Sequence, residues 1–113
     1  MAKAVTLTKL ENNLLIEFKN MLVAKFPQEV LKLWLFGSRA RGQGTPESDL
    51  DVLIITRSDD YHLADEIIKI ATNLMLKYNL YISPKVISQG HYKELERTGS
   101  DFLYFVKLDR IPV

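Results

Sequence analysis

Residues 30–56, VLKLWLFGSRARGQGTPESDLDVLIIT, contain two mostly apolar segments separated by a polar one. The apolar segments, 30–36 and 50–56, have the length and composition of buried strands, and the first stops abruptly at Gly37. Residues 38–49 between them hold two of the five glycines, a proline and several small polar side chains. We therefore predict two strands joined by a short helical turn and an exposed loop.

Apolar periodicity predicts further elements on either side of these strands. They are a helix over residues 7–26, a helix from 58 or 59 to 78, a strand over 80–87, and short helices over 89–97 and 100–108. Thr6 or Thr8 is expected to cap the first helix, and Ser58 or Asp59 the second. Pro84 cannot donate to a sheet ladder, so the third strand is expected to lie at an edge or to be irregular there.

The order of these elements is helix, strand, strand, helix, strand, helix, which predicts an α/β (α+β) fold. We expect a mixed sheet of three to four strands flanked by helices. The 113 residues suit one domain, and no internal repeat or linker marks a second one. Residues 1–113 are therefore expected to form a single small domain, which would contact any larger binding partner at its surface.

Composition and charge exclude several classes of function. The chain has no cysteine, which excludes disulfides, zinc–thiolate sites and thiol catalysis. Fifteen Lys and Arg against fourteen Asp and Glu leave a formal charge of +1, so direct nucleic-acid binding is not expected. Residues 1–13 contain no continuous apolar stretch, so neither a signal peptide nor a membrane span is predicted, and a cytoplasmic location is expected.

Asp49 and Asp51 are the strongest chemical signal in the chain. Side chains two residues apart in a strand share one face, so the two carboxylates are expected to converge. Asp51 also stands in an otherwise apolar strand, where an unpaired carboxylate is costly. Mg²⁺ would offset the repulsion, because it takes one or two carboxylates together with phosphate oxygens and water. The structural alternative is a capping aspartate followed by one that pairs with a neighbouring arginine.

Gly37 and Ser38 form a second candidate feature, and Ser38 lies eleven residues before Asp49. Glycine lets the backbone approach a ligand closely, and the serine hydroxyl stands next to amides that open a helical turn. Such a turn suits a triphosphate. Strands that end at Gly37 and start near Asp49 can be neighbours, so the phosphate-binding turn and the metal-binding carboxylates are expected to face each other.

The segment GSRARGQGTPESDLDVLII (37–55) matches the pattern GS-x-ARG…SD-x-D and resembles the minimal nucleotidyltransferases (MNT) of the DNA polymerase β superfamily. The resemblance implies transfer of a nucleoside monophosphate from ATP or another NTP to an acceptor hydroxyl, with pyrophosphate leaving. It implies that Asp49 and Asp51 are the catalytic residues and the ligands of Mg²⁺, in a site for two ions. The nucleotide-binding residues that it implies are Gly37, Ser38, Arg41 and Ser48.

Small proteins of this family are often antitoxins paired with a HEPT-domain RNase toxin. The resemblance therefore implies an antitoxin that transfers AMP from ATP to a tyrosine hydroxyl of such a toxin, within a hetero-oligomer or as a homodimer. Two other functions remain open. One is a catalytically degenerate antitoxin that neutralises its partner by direct binding, and the other is a regulatory domain that senses a nucleotide without transferring it.

The sequence departs from the family pattern at one position. The catalytic family carries a third carboxylate on a later strand, which helps to bind metal and to deprotonate the acceptor hydroxyl. Aligning residues 86–88 with the family's apolar pair and hydroxyl puts Lys85 at this position, with Ser83 on the same face. No Asp or Glu occurs from residue 67 to residue 93. A protonated lysine can neutralise charge but cannot bind a metal, so a single ion is expected if the carboxylate is absent.

Several other residues have less specific interpretations. Arg41 is expected either to bind phosphates or to hold the loop by pairing with Glu47 or the aspartates, whereas Arg39 is expected to be solvated or partner-facing. Ser48 is expected to hydrogen-bond within the loop rather than to bind a ligand directly. The remaining expectations are a core position for Trp34, exposed and isolated His62 and His91, and a C-terminal run, 102–108, that is either core or a partner surface.

Overall fold

The structure is a computed structural model that describes residues 7–42 and 48–113. Within these residues the elements are α1 (Lys9–Lys25), β1 (Val30–Phe36), α2 (Ser38–Arg41), β2 (Leu50–Thr56), α3 (Tyr61–Tyr78), β3 (Ile82–Ser88), α4 (Gln89–Thr98), α5 (Asp101–Asp109) and β4 (Ile111–Pro112). The predicted α/β class and the mixed sheet are confirmed. None of the helices in the described residues is both long enough and apolar enough to cross a membrane.

The strands form one four-stranded sheet in the order β3-β2-β1-β4. β1 pairs antiparallel with β2 and β4, whereas β2 and β3 are parallel. Phe36 lies opposite Asp51, so the end of β1 and the start of β2 meet at the same end of the sheet. β3 is an edge strand, which confirms the expectation from Pro84.

Side chains pack on both faces of the sheet. On one face α1 and α3 cover the strands, and Val52 and Ile54 of β2 lie in this cluster. On the other face Leu53 packs in a smaller cluster with Leu103 of α5. Burial on both sides explains the near-continuous apolar sequence of β2. Asp51, two residues before Leu53, belongs to the face of the smaller cluster.

The ends of α1 and β3 refine the predictions. Thr8 caps α1 through a capping box, in which Thr8 and Glu11 each accept a hydrogen bond from the backbone N–H of the other. Thr6, the alternative cap, lies outside the described residues. β3 begins at Ile82 rather than at Leu80.

The prediction that Ser58 or Asp59 caps the second helix is wrong. Asp60 caps α3, because its carboxylate accepts a hydrogen bond from the N–H of His62 at 2.9 Å. The Ser58 hydroxyl is engaged elsewhere and donates to the Glu29 carboxylate at 2.7 Å. The chain therefore leaves β2 through a short, side-chain-bonded connection before the helix starts.

The C-terminal aromatic run divides between core and surface. Leu103 and Val106 are buried, whereas large side chains on the other faces of α5 are 38–60% exposed, namely Phe102, Tyr104, Phe105 and Leu108. The core role is therefore confirmed for part of the run, and the partner-surface role of the exposed part stays a prediction. After it, the chain adds β4 to the free edge of β1, an element that the sequence did not predict.

Candidate functional site

The candidate site lies where β1 ends and β2 begins. Gly37 separates Phe36, the last residue of β1, from Ser38, the first residue of α2. With φ 79° and ψ −163°, Gly37 has a conformation that is essentially restricted to glycine. Its carbonyl accepts hydrogen bonds from the N–H groups of Ala40 at 3.1 Å and Arg41 at 3.2 Å. The predicted helical turn is therefore present and is fixed directly to the end of the strand.

The carboxylate of Asp51 occupies the space beside Gly37. A Cβ atom built on Gly37 would lie 2.4 Å from Oδ2 and 3.3 Å from Cγ of Asp51. The sequence predicts that a ligand approaches the backbone at Gly37 closely. In the structure the group next to Gly37 is the Asp51 carboxylate. Glycine at position 37 thus allows the turn and the carboxylate to lie side by side in one site.

The electrostatics of the site centre on Asp51, which is half-buried, whereas Asp49 just before β2 is exposed. Burial raises the pKa of the Asp51 carboxyl above its usual 3.8, and the charge of Asp49 raises it further. The positive charges of Lys85 and Arg41 lower this pKa but do not cancel the rise. No side chain in the described residues donates a hydrogen bond to either carboxylate.

The donor set of Asp49 and Asp51 fits a hard divalent cation. Asp49 lies close enough to Asp51 to raise the pKa of the Asp51 carboxyl, and this carboxylate lies against the backbone of Gly37. Magnesium binds to such oxygen donors and completes its octahedral shell with phosphate oxygens and water. Residues 7–42 and 48–113 contain no group of three or more His, Cys, Asp or Glu side chains that could hold a metal. Asp49 and Asp51 are thus the candidate ligands, and a bound substrate and water would supply the rest.

Lys85 lies on the same sheet face as Asp51. The parallel register places Ser83 opposite Asp51 and Lys85 opposite Leu53, and side chains two residues apart in a strand point to one face. Lys85 is exposed, and its charge lowers the pKa of Asp51. The position at which the family pattern leads us to expect a carboxylate thus presents a positive charge to the site.

Arg41 pairs with a residue that sequence reasoning did not consider. Its Nη1 donates to Oδ2 of Asp109 at 2.6 Å, and Asp109, the last residue of α5, is buried. Glu47, one of the expected partners, lies outside the described residues. Arg41 and Asp109 are separated by 68 positions in the sequence, so no local sequence signal indicates this contact. It ties the turn of the candidate site to the C-terminal helix.

The expectation that Arg39 is solvated or partner-facing is wrong. Its side chain is buried, and Nη2 donates to Oε1 of Glu11 at 2.6 Å. Nη1 of Arg39 donates to the carbonyl oxygen of Ser48 at 3.4 Å. Ser48 therefore takes part in a hydrogen bond within the fold through its backbone carbonyl, and the expected role of its side chain stays a prediction.

Three aromatic residues lie as the sequence predicted. Trp34 packs against the smaller core cluster, and the guanidinium of Arg110 lies 4.3 Å from the centre of its ring. His62 and His91 are exposed, and the ring of His62 lies 4.1 Å from that of Tyr61. None of the three belongs to the Asp49–Asp51 site.

Comparison with known proteins gives this site a chemical class. Residues 15–106 match the family described as nucleotidyltransferase domain. The chain belongs to the nucleotidyltransferase domain family. The resemblance of residues 37–55 to this family is confirmed, and the chain is a nucleotidyltransferase of that general kind.

Relatives of this nucleotidyltransferase domain include two proteins of Methanocaldococcus jannaschii, each named "putative protein adenylyltransferase". One is 40% identical over 79 residues, which are 70% of this chain and 75% of the relative. The other is 38% identical over 88 residues, which are 74% of this chain and 89% of the relative.

A solved structure shows the same fold. The crystal structure of a "putative nucleotidyltransferase" from Sulfolobus solfataricus superposes with a TM-score of 0.52 at 18% identity. The match covers 88% of this chain and 76% of that chain. The two proteins therefore share this fold.

Proposed function

We propose that this nucleotidyltransferase uses Mg²⁺ and transfers AMP from ATP to a hydroxyl group of a partner protein, most specifically a tyrosine of a HEPT-domain toxin that it neutralises. The observation that carries this proposal is the packing of the Asp51 carboxylate against Gly37, with Asp49 beside it. The names of the relatives support a protein acceptor. The toxin partner is inferred from the resemblance to MNT antitoxins.

Each part of the site has a role in this reaction. Asp49 and Asp51 would hold Mg²⁺, which, when bound, neutralises phosphate charge and polarises the reacting phosphoryl group. Gly37 and Ser38 would contact the phosphates, because glycine leaves the backbone accessible and the serine adds a hydroxyl. Arg41 and Ser48 would complete the nucleotide contacts, and the Arg41 side chain keeps 41% of its surface exposed for this purpose.

The chemical step requires little covalent participation by the protein. The acceptor oxygen forms a bond to the α-phosphorus, the bond from that phosphorus to the bridging oxygen breaks, and pyrophosphate leaves with the electron pair. The proton of the acceptor hydroxyl passes to solvent water, because Lys85 stands where the family pattern has the carboxylate that would take it. Lys85 would offset negative charge where a second metal ion would otherwise lie, so we propose that the site works with one ion.

We further propose that residues 1–113 act as a single domain in the cytoplasm, where ATP and Mg²⁺ are both abundant. The working assembly would be a complex with the partner protein or a homodimer. The nearly balanced charge of the chain gives no support for direct nucleic-acid binding.

The test is to incubate the full chain with Mg²⁺, the cognate partner and ATP labelled on either the α- or the γ-phosphate. Label should reach the partner from α-labelled ATP only, with pyrophosphate released. Asp51→Asn should abolish the transfer, whereas Asp65→Asn, an acid-to-amide change at an exposed position of α3, should leave it intact. Transfer from γ-labelled ATP, or none under any metal condition, would contradict the proposed activity.

A second candidate function is neutralisation by direct binding, without transfer. Lys85 favours it, because its positive charge faces the carboxylates where the family pattern has a third acid. The double variant Asp49→Ala, Asp51→Ala separates the two functions. If the variant still binds the partner and still neutralises it, direct binding is sufficient. If it binds but no longer neutralises, direct binding is the wrong explanation.

A further inference from the structure

Arg39 forms a buried ion pair within the GS-x-ARG segment. Its side chain is 5% exposed, and that of its partner Glu11 is 4% exposed. Removing two charges from water is costly, and an apolar pair of similar volume is often at least as stable. Stability alone therefore does not explain why this pair is charged, whereas the contacts that the two side chains make offer an explanation.

The Glu11 end of the pair is anchored in a rigid element. Oε1 of Glu11 accepts hydrogen bonds both from the backbone N–H of Thr8 at 2.8 Å and from Nη2 of Arg39 at 2.6 Å. Burial by itself would raise the pKa of Glu11, but these hydrogen bonds and the charge of Arg39 outweigh it and lower the pKa. Glu11 is thus an ionised, fixed acceptor at the first turn of the 17-residue helix α1.

The second branch of the guanidinium reaches the other half of the site. Nη1 of Arg39 donates to the carbonyl of Ser48, the residue immediately before Asp49. Leu50 lies two residues after Ser48, and its N–H donates to the carbonyl of Tyr81 at 3.0 Å. This hydrogen bond starts the pairing of β2 with the β3 side of the sheet. Arg39 itself belongs to α2, directly after Ser38. One planar side chain therefore connects the turn, the segment that carries the aspartates and the N-terminus of α1.

We propose that Arg39 is a positioning residue, which sets the separation between the Gly37–Ser38 turn and the Asp49–Asp51 carboxylates by bridging Glu11 and the Ser48 carbonyl. This rests on the proposed function, because the separation matters only if a metal–triphosphate spans the two halves. Arginine suits the task, since its donors form a rigid fork and lysine offers a single point charge. Residues that orient ligands in this way typically change metal affinity or activity by about 10–100-fold when they are altered.

The experiment compares the full-length wild type with the double variant Glu11→Leu, Arg39→Met, which replaces the ion pair with apolar side chains. Urea unfolding measures stability, and calorimetry measures Mg²⁺-dependent ATP binding under conditions in which each protein is folded. The double variant should remain folded yet bind ATP at least about ten-fold more weakly. Arg39→Lys, which keeps the charge beside Glu11 but loses the fork, should fall between the two. Lys77→Met, which breaks the exposed pair with Glu17, should change neither result.

Hydrogen exchange provides a readout that does not depend on nucleotide. In the double variant the amides of Asp49 and Leu50 should exchange faster than in the wild type, because the hydrogen bond from Arg39 to the Ser48 carbonyl is lost. A folded double variant with wild-type ATP affinity and wild-type exchange at these amides would overturn the role of Arg39. If the wild type itself binds no Mg²⁺–ATP, the proposed function fails; unchanged exchange would then also overturn the bridge, whereas faster exchange would support it.

Discussion

Replacing Gly37 with alanine would put a methyl group 2.4 Å from Oδ2 of Asp51, well inside van der Waals contact. The backbone at Gly37, with φ 79° and ψ −163°, is also one that alanine rarely adopts. The first effect pushes the carboxylate away from the turn, and the second strains the turn itself. Gly37→Ala is therefore expected to impair stability and the site together.

The size of the stability effect follows from these two causes. Backbone strain in this region costs about 1–3 kcal/mol, and overpacking adds about 1–3 kcal/mol. Gly37→Ala should thus lower the free energy of unfolding by about 2–6 kcal/mol. Gly99 provides a matched control, because it also has a positive φ of 70° but no described atom lies within 4 Å of an added Cβ. Gly99→Ala should cost only about 1–2 kcal/mol of backbone strain.

Two measurements separate the strain from the contact with Asp51. Urea unfolding gives the free energy of unfolding of both variants, and calorimetry gives their Mg²⁺-dependent ATP affinity under conditions in which they are folded. Gly37→Ala should bind ATP at least about ten-fold more weakly, whereas Gly99→Ala should bind like the wild type. If both variants lost equal stability and Gly37→Ala still bound ATP normally, the proposed importance of the close contact at Gly37 would be refuted.

Three further predictions concern the charges around the site. Arg41→Ala leaves a buried carboxylate unpaired and should lower the free energy of unfolding by about 1–3 kcal/mol in urea titrations. Arg97→Ala, in an exposed pair, should cost at most about 1 kcal/mol, and equal costs would contradict this account. Asp51→Asn should raise the free energy of unfolding of the metal-free protein at pH 7 but not near pH 3. Because the pKa of Asp51 is raised in the fold, the protonated carboxyl stabilises the folded protein. This stabilisation is lost as pH rises through the raised pKa. A change in unfolding free energy for Asp51→Asn that is the same at both pH values would contradict this prediction. Lys85→Glu should tighten Mn²⁺ binding by about ten-fold, because it restores a third acid. Lys93→Glu makes the same charge change on α4 and should not tighten Mn²⁺ binding. Similar Mn²⁺ affinities of the two variants would show that Lys85 lies away from the metal.

The strands that form the candidate site could be predicted closely from the sequence. β1 and β2 have the predicted bounds, because continuous apolar runs that stop at Gly37 and start after Asp49 leave little choice of boundary. The α2 turn and the edge position of β3 were also predicted, since glycine and proline restrict the backbone in known ways. By contrast, β4 is two residues long and contains a proline, so it has no detectable period.

The contacts of the two arginines could not be predicted, because their partners are distant in sequence. Arg39 meets Glu11 across 28 residues, and Arg41 meets Asp109 across 68. A charged residue in a loop is most often solvated, so burial of Arg39 contradicts the usual expectation. The spacing of Thr8 and Glu11 did carry a signal, since it is that of a capping box, but it indicates a helix start and not a partner for arginine.

The central claim is that Asp51, beside Gly37, holds the metal through which a nucleoside triphosphate binds. Calorimetric titration of ATP into the full chain, with Mg²⁺ and with EDTA, tests it most directly when repeated with Asp51→Asn and the control Asp65→Asn. We predict ATP binding that requires Mg²⁺, disappears in Asp51→Asn and persists in Asp65→Asn. Binding that is equally strong in EDTA, or that survives Asp51→Asn unchanged, would contradict the claim.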